Sequence, residues 1–160
     1  MIKKKEDERV EVSLSIIDIK ETAFKYNAEY DYSKLSRDFL GLGFNEKLNP
    51  NMDNNILGIE ASVSYLDTRD ETLLTELSVL INFSISNLDK LVEMKSKMIK
   101  LKNDNFIINL FNISIGTLRG VLYSKLKGTP LEGYPLPAIS PDILKEFLSK
   151  TPSKKEIQKK

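Results

Sequence analysis

The 160-residue sequence contains no cysteine and no histidine. Without Cys there is no disulfide framework, no thiolate zinc site and no Cys nucleophile. Without His, a Ser-His-Asp triad, an imidazole acid–base and a His-ligated metal are all excluded. Any catalysis would rest on carboxylates, Lys, Tyr or Ser alone, so the expectation is a protein that is not an enzyme and that holds no metal or cofactor. No run approaches ~18 consecutive apolar residues, which argues against membrane insertion. The start, Met1 to Glu8, is charged but has no apolar stretch behind it, so it does not read as a secretory signal. A cytoplasmic protein is the expectation. The net charge is only +1, which gives no global electrostatic case for nucleic acid.

What is present is ordinary for a globular protein: 41% apolar and 29% charged residues, with 7 Gly and 6 Pro. The length fits one domain, which buries about two-thirds of its unfolded surface. We expect residues 1–9 to fray, 10–149 to form that domain and 150–160 to be a basic tail.

From Val10 apolar residues alternate with polar ones (Val10, Val12, Leu14, Ile16), the period of a strand. The phase slips at Ile16-Ile17 and again after Lys20-Glu21-Thr22, as bulges would cause. Phe24, Tyr26, Tyr30, Tyr32, Phe39 and Phe44 lie in or beside an apparent crossing loop, with a short strand at Leu40, Leu42 and Phe44. After a turn at 49–55 two strands alternate cleanly, Leu57 to Tyr65 and Leu77 to Ile85, joined by a polar hairpin loop at 67–70. Past Asn87 the period changes. Leu88, Leu91, Val92, Met94 and Met98 predict a short lysine-rich helix. Asn103 or Asp104 caps a longer one, whose stripe runs Ile107, Leu110, Phe111, Ser114, Ile115, Leu118, Val121, Leu122 and Leu126. Gly128 is placed to end it and Ser140-Pro141-Asp142 to start another. Four strands followed by helices predict an α+β fold, an antiparallel sheet with helices on one face.

Few motifs carry chemistry. Asp67/Asp70 and Glu6/Asp7/Glu8 read as solvated charge. Gly41-x-Gly43 lacks the Lys-Ser/Thr helix start that a phosphate loop needs. The long helix carries Gly116, Gly120 and Ser124 at four-residue spacing, a flat strip for close backbone approach. Gly inside a helix costs ~1 kcal/mol against Ala, so the strip implies a packing role, either between subunits or on the chain's own sheet. The aromatic set fits either a core or an exposed apolar binding groove.

The region from Thr117 to Leu144 places Arg119 on the helix, then a turn Lys127-Gly128-Thr129-Pro130, a loop Tyr134-Pro135-Leu136-Pro137-Ala138-Ile139, and a short helix from Ser140. This resembles the SecB chaperone family, whose four-strand-then-helices order also matches over about 10–148. The resemblance implies an ATP-independent holdase that binds unfolded preproteins or, for relatives found beside toxin–antitoxin pairs, an antitoxin polypeptide. It implies a homotetramer, a dimer of dimers with long helices between the sheets, which the Gly116, Gly120 and Ser124 strip would serve. It also implies client grooves formed here by Phe24, Tyr26, Tyr30, Tyr32, Phe39, Leu40, Leu42, Phe44, Tyr134 and Leu136. SecB proteins are strongly acidic, a property linked to docking on the SecA motor. A chain at +1 with a lysine tail lacks that property, which makes SecA docking doubtful. The rival reading is a small adaptor with one folded protein partner.

Overall fold

The computed structural model describes residues 11–96 and 98–150, with side chains through residue 146. The expected frayed start and, past Lys150, the expected basic tail lie outside the described residues. Four strands, β1 (Leu14–Tyr26), β2 (Leu40–Asn51), β3 (Ile56–Asp67) and β4 (Thr72–Ile85), form one antiparallel sheet in the order β1-β4-β3-β2. The α+β class and the four-stranded sheet are as the alternation predicted.

The sheet is two-faced because side chains alternate across a strand. Leu57, Ile59, Ala61, Val63 and Tyr65 of β3 and Leu77, Val79, Ile81, Phe83 and Ile85 of β4 are fully buried on the inner face. The outer face is wet and finely packed. A Cβ built on Gly43 would stand 2.5 Å from Ser64 Oγ, so a side chain there would oblige the Ser64 hydroxyl across the strand pair to turn away. The β1–β4 register shifts between Ile16 and Asp18 and between Glu21 and Ala23, the two places where the hydrophobic phase slips.

Three elements differ from the sequence reading. The short strand at 40–44 extends to Asn51. Its second half, Asn45 to Pro50, is largely polar, and Pro50 would break a central strand. An edge strand pairs on one side only and tolerates both. Strand β4 starts five residues early, at Thr72. The predicted helix over 88–98 is one helical turn, α1 (Leu88–Leu91), followed by a hairpin of β5 (Val92–Lys95) and β6 (Met98–Leu101). Leu88, Leu91 and Val92 do bury, as a helix would have them, but Val92 is already extended. Val92↔Leu101 and Met94↔Ile99 then satisfy a period of two.

Helix α2 (Asp104–Leu126) lies across the inner face of the two central strands. Asn103 Oδ1 accepts from Phe106 N at its start. Every residue of the predicted stripe is buried except Val121, which is half-buried, and Ile108 joins it. In length and composition α2 would also suit a membrane crossing. Here its apolar stripe is spent on the sheet. Past its end Gly128 adopts φ +79°, a left-handed conformation that favours glycine. Helix α3 (Pro141–Lys150) starts at Ser140, whose Oγ accepts from Ile143 N, and packs on α2.

Candidate functional site

A single helix cannot cover a four-stranded sheet. Because α2 sits on β3 and β4, the inner faces of both edge strands extend past it. On β1, Leu14, Ile16 and Ile19 stand opposite the buried Ile85, Phe83 and Ile81, yet are 40%, 47% and 49% exposed. On β2, Leu42 stands opposite the buried Tyr65 and is 41% exposed. Two apolar strips therefore flank the helix. Exposed apolar area of this kind marks a binding surface more often than chance.

The residues expected to bind a client divide among these places. Phe24 is half-buried on β1 beside α2, with Lys125 Nζ 5.0 Å from its ring centroid. Tyr26, also on β1, stacks on Tyr32 at 5.7 Å, and Tyr30 meets Tyr32 edge-on at 5.0 Å. Tyr32 donates to Asn27 O, and burial raises its hydroxyl pKa well above the ordinary 10. These three rings fasten the crossing loop to the core. Phe39 is 40% exposed and lies under the Arg69 guanidinium at 4.5 Å. Leu40, Leu42 and Phe44 line β2, at the opposite sheet edge from Phe24 and Tyr26.

The loop is held at its far end by an ion pair whose carboxylate is buried. Asp67, 2% exposed, accepts from Arg69 Nη2 at 2.6 Å and from Tyr30 Oη at 2.5 Å. Bonding to Arg69 first, and then to Tyr30, holds the Asp67 carboxyl far below the usual carboxylate range. Arg69 also donates to Lys34 O. Asp67 is thus a structural clamp; the solvated reading of it is corrected by its burial.

Leu136 corrects another expectation. It is 2% exposed and belongs to the core, so the chain itself covers it. Arg119 puts it there: Nε donates to Leu136 O at 2.9 Å and Nη2 to Pro137 O at 3.1 Å. Tyr134 is half-buried, with Arg37 over its ring at 5.6 Å and Tyr65 Oη donating to its carbonyl. The Pro loop is therefore pinned by its backbone carbonyls, at Tyr134 to β3 and at Leu136 and Pro137 to α2.

Two features escaped the sequence reading. The exposed β1 strip was visible as alternation, but nothing local says that α2 stops short of it. Glu46 is the other. It lies on the inner face of β2 opposite Ala61, between Phe44 and Leu48. The residue is half-buried, but its Oε1 is shut off from solvent with no hydrogen-bond partner among the described residues. Burial pushes its pKa up to about 9, so at neutral pH it is a neutral acid. Its period-two spacing from Phe44 and Leu48 is the signal that would have flagged it.

On α2, Gly116, Gly120 and Ser124 face outward. A Cβ built on either glycine meets nothing within 4 Å, and all three residues are exposed. The strip therefore does not serve packing on the chain's own sheet. Ile113 and Tyr123 share this face, at 37% and 52% exposure.

No family model matches the sequence, and no curated protein matches it. Among solved structures, the chain is similar to the Mycobacterium tuberculosis SecB-like chaperone Rv1957, solved in complex with a ChAD peptide from the HigA1 antitoxin Rv1956. The likeness has a TM-score of 0.51 at 12% identity, over 79% of this chain and 88% of that one. The fold is SecB-like. At that identity the likeness rests on topology: four antiparallel strands, then a long helix across their inner face.

Proposed function

We propose that this protein is an ATP-independent, SecB-like holdase that binds extended or unfolded polypeptide along the strips flanking α2. The observation carrying this reading is the exposed inner face of the edge strands in a SecB-like fold. Burial of such surface is non-directional, at ~25 cal/mol per Å², so it suits clients of varied sequence. Phe39 and Leu42 are the open contacts. Leu40 and Phe44 lie beside Leu42 on β2, Phe24 and Tyr26 belong to the strip at the opposite, β1 edge, and Tyr30, Tyr32 and Tyr134 are the half-buried supports of the adjoining loops. An antitoxin polypeptide is the preferred client class, supported by the peptide bound to the similar chaperone and by the charge pattern of the outer sheet face. That face pairs opposite charges, Lys20 with Asp18 at 3.1 Å and Lys25 with Glu76 at 3.9 Å. It has no acidic field for a translocation motor.

The same reading assigns assembly to a different surface, the outward face of α2. A second copy packs on the Gly116, Gly120 and Ser124 face, giving a dimer of dimers with the long helices inside. The decisive experiment is client range. The purified chain, without ATP, should suppress aggregation of several unrelated unfolded proteins. Protection of one folded partner only would instead establish a dedicated adaptor.

A further inference from the structure

The β5–β6 hairpin plays no part in the surfaces described above. Its base is anchored, since Val92 is fully buried and Lys102 Nζ donates to Asp89 O. Toward its tip the apolar side chains emerge: Ile99 is half-buried, while Met94 and Met98 are 42% and 49% exposed. They lie on opposite faces, because Met94 pairs with Ile99 and Met98 with Lys95. The segment is also strongly basic. Residues 89–102 contain five lysines and two acidic residues, in a chain whose total charge is only +1. Of the described lysines at the tip, Lys95 has a 3.7 Å contact with Glu93 and Lys100 is exposed.

Exposed methionines with Lys95 and Lys100 beside them match a surface that is anionic outside and apolar beneath. We infer that the β5–β6 hairpin is a docking wedge for an anionic lipid bilayer, with Met94 and Met98 entering the headgroup–acyl boundary and Lys95 and Lys100 meeting lipid phosphates. Met94 and Met98 stand on opposite faces of a two-stranded hairpin, an arrangement that does not enclose a peptide. It has no Arg and no aromatic residue in 89–102, so it lacks the stacking that single-stranded nucleic acid uses. Methionine is adaptable enough to enter disordered acyl chains, and lysine stems can lie along the apolar boundary with their charges in the headgroups. The contact is peripheral and independent of the client-binding proposal.

The test uses the full chain. It has no tryptophan, so Met98→Trp introduces a single reporter. With equimolar phosphatidylglycerol–phosphatidylcholine vesicles the reporter emission should shift to the blue and be quenched by brominated acyl chains. Pure phosphatidylcholine should give neither effect. Each lysine near an anionic surface strengthens binding about fivefold, so Lys95→Gln with Lys100→Gln should weaken it about 25-fold. Flotation of the unmodified chain and of Met94→Gln with Met98→Gln repeats the test without the reporter. Loss of flotation at an unchanged melting temperature supports the wedge. Binding that survives both double substitutions would assign it to the terminal lysine runs and overturn the inference. So would a blue shift produced by polyglutamate, by polyuridylate, or by raising protein concentration without lipid.

Discussion

Glu46 sets up a test of how the inner face is built. Its ordinary pKa is 4.5 and its folded value is about 9, raised by burial against apolar neighbours. Below pH 4.5 both folded and unfolded chains hold the proton, and the residue is neutral toward stability. Above it the unfolded chain releases the proton and the folded chain keeps it. Stability therefore falls by about 1.4 kcal/mol per pH unit until the folded value is reached. At pH 7 the loss amounts to about 3 kcal/mol, a large share of a typical domain's stability. Glu46→Gln retains the shape and removes the titration. Urea unfolding of both proteins from pH 4 to 8 should show near-equal stability at pH 4.5 and a gap in favour of Gln that widens to about 3 kcal/mol at pH 7. The slope is the readout, since any pH-independent difference between the amide and the protonated acid cancels from it. A gap independent of pH, or a wild type at least as stable at pH 7, would mean that Glu46 is ionised with a partner, and the account of this strip would be wrong.

Three further outcomes follow. Leu42→Glu places a charge on an exposed position and should weaken client binding with little change in melting temperature, whereas Leu136→Glu should cost several kcal/mol and unfold the chain, because a buried charge has no partner there; binding assays paired with thermal melts separate the two. Asp67→Asn should lower stability at neutral pH, with the deficit shrinking as pH falls through the low folded pKa of Asp67, because the wild type loses its clamp there; a pH series of thermal melts reads this. Gly120→Leu should overpack the outer face of α2 by about 1–3 kcal/mol per site and shift a tetramer to dimer or monomer; an unchanged assembly by light scattering would refute the proposed helix packing.

The strands and α2 were legible because their signals are local. Alternation over Leu57–Tyr65 and Leu77–Ile85 puts one face in a core whatever lies opposite, and a 3.6-residue stripe from Ile107 to Leu126 does the same for a helix. Both bulges of β1 were visible for the same reason: an inserted residue flips every later side chain. Where the apolar residues were few, the period was ambiguous. Leu88, Leu91 and Val92 satisfy a helix, and only the pairing of Val92 with Leu101 shows that the chain turns into a hairpin. Polar β2 and its Pro50 were readable as a strand only once their place at the sheet edge was known.

Within the candidate site, the sequence alone marked which side chains are apolar or aromatic, and tertiary structure decided which of them are open. Leu136 and Leu42 are the same residue type, and both were expected to face a client. Arg119 draws one into the core, and the width of α2 leaves the other outside it. Gly116 and Gly120 announced a close contact in sequence, but only the fold shows that none of the described residues of the chain makes it. Hydrophobic periodicity specifies the face a residue occupies. Whether that face is covered depends on the number and placement of the elements packed against it, and no local pattern encodes that.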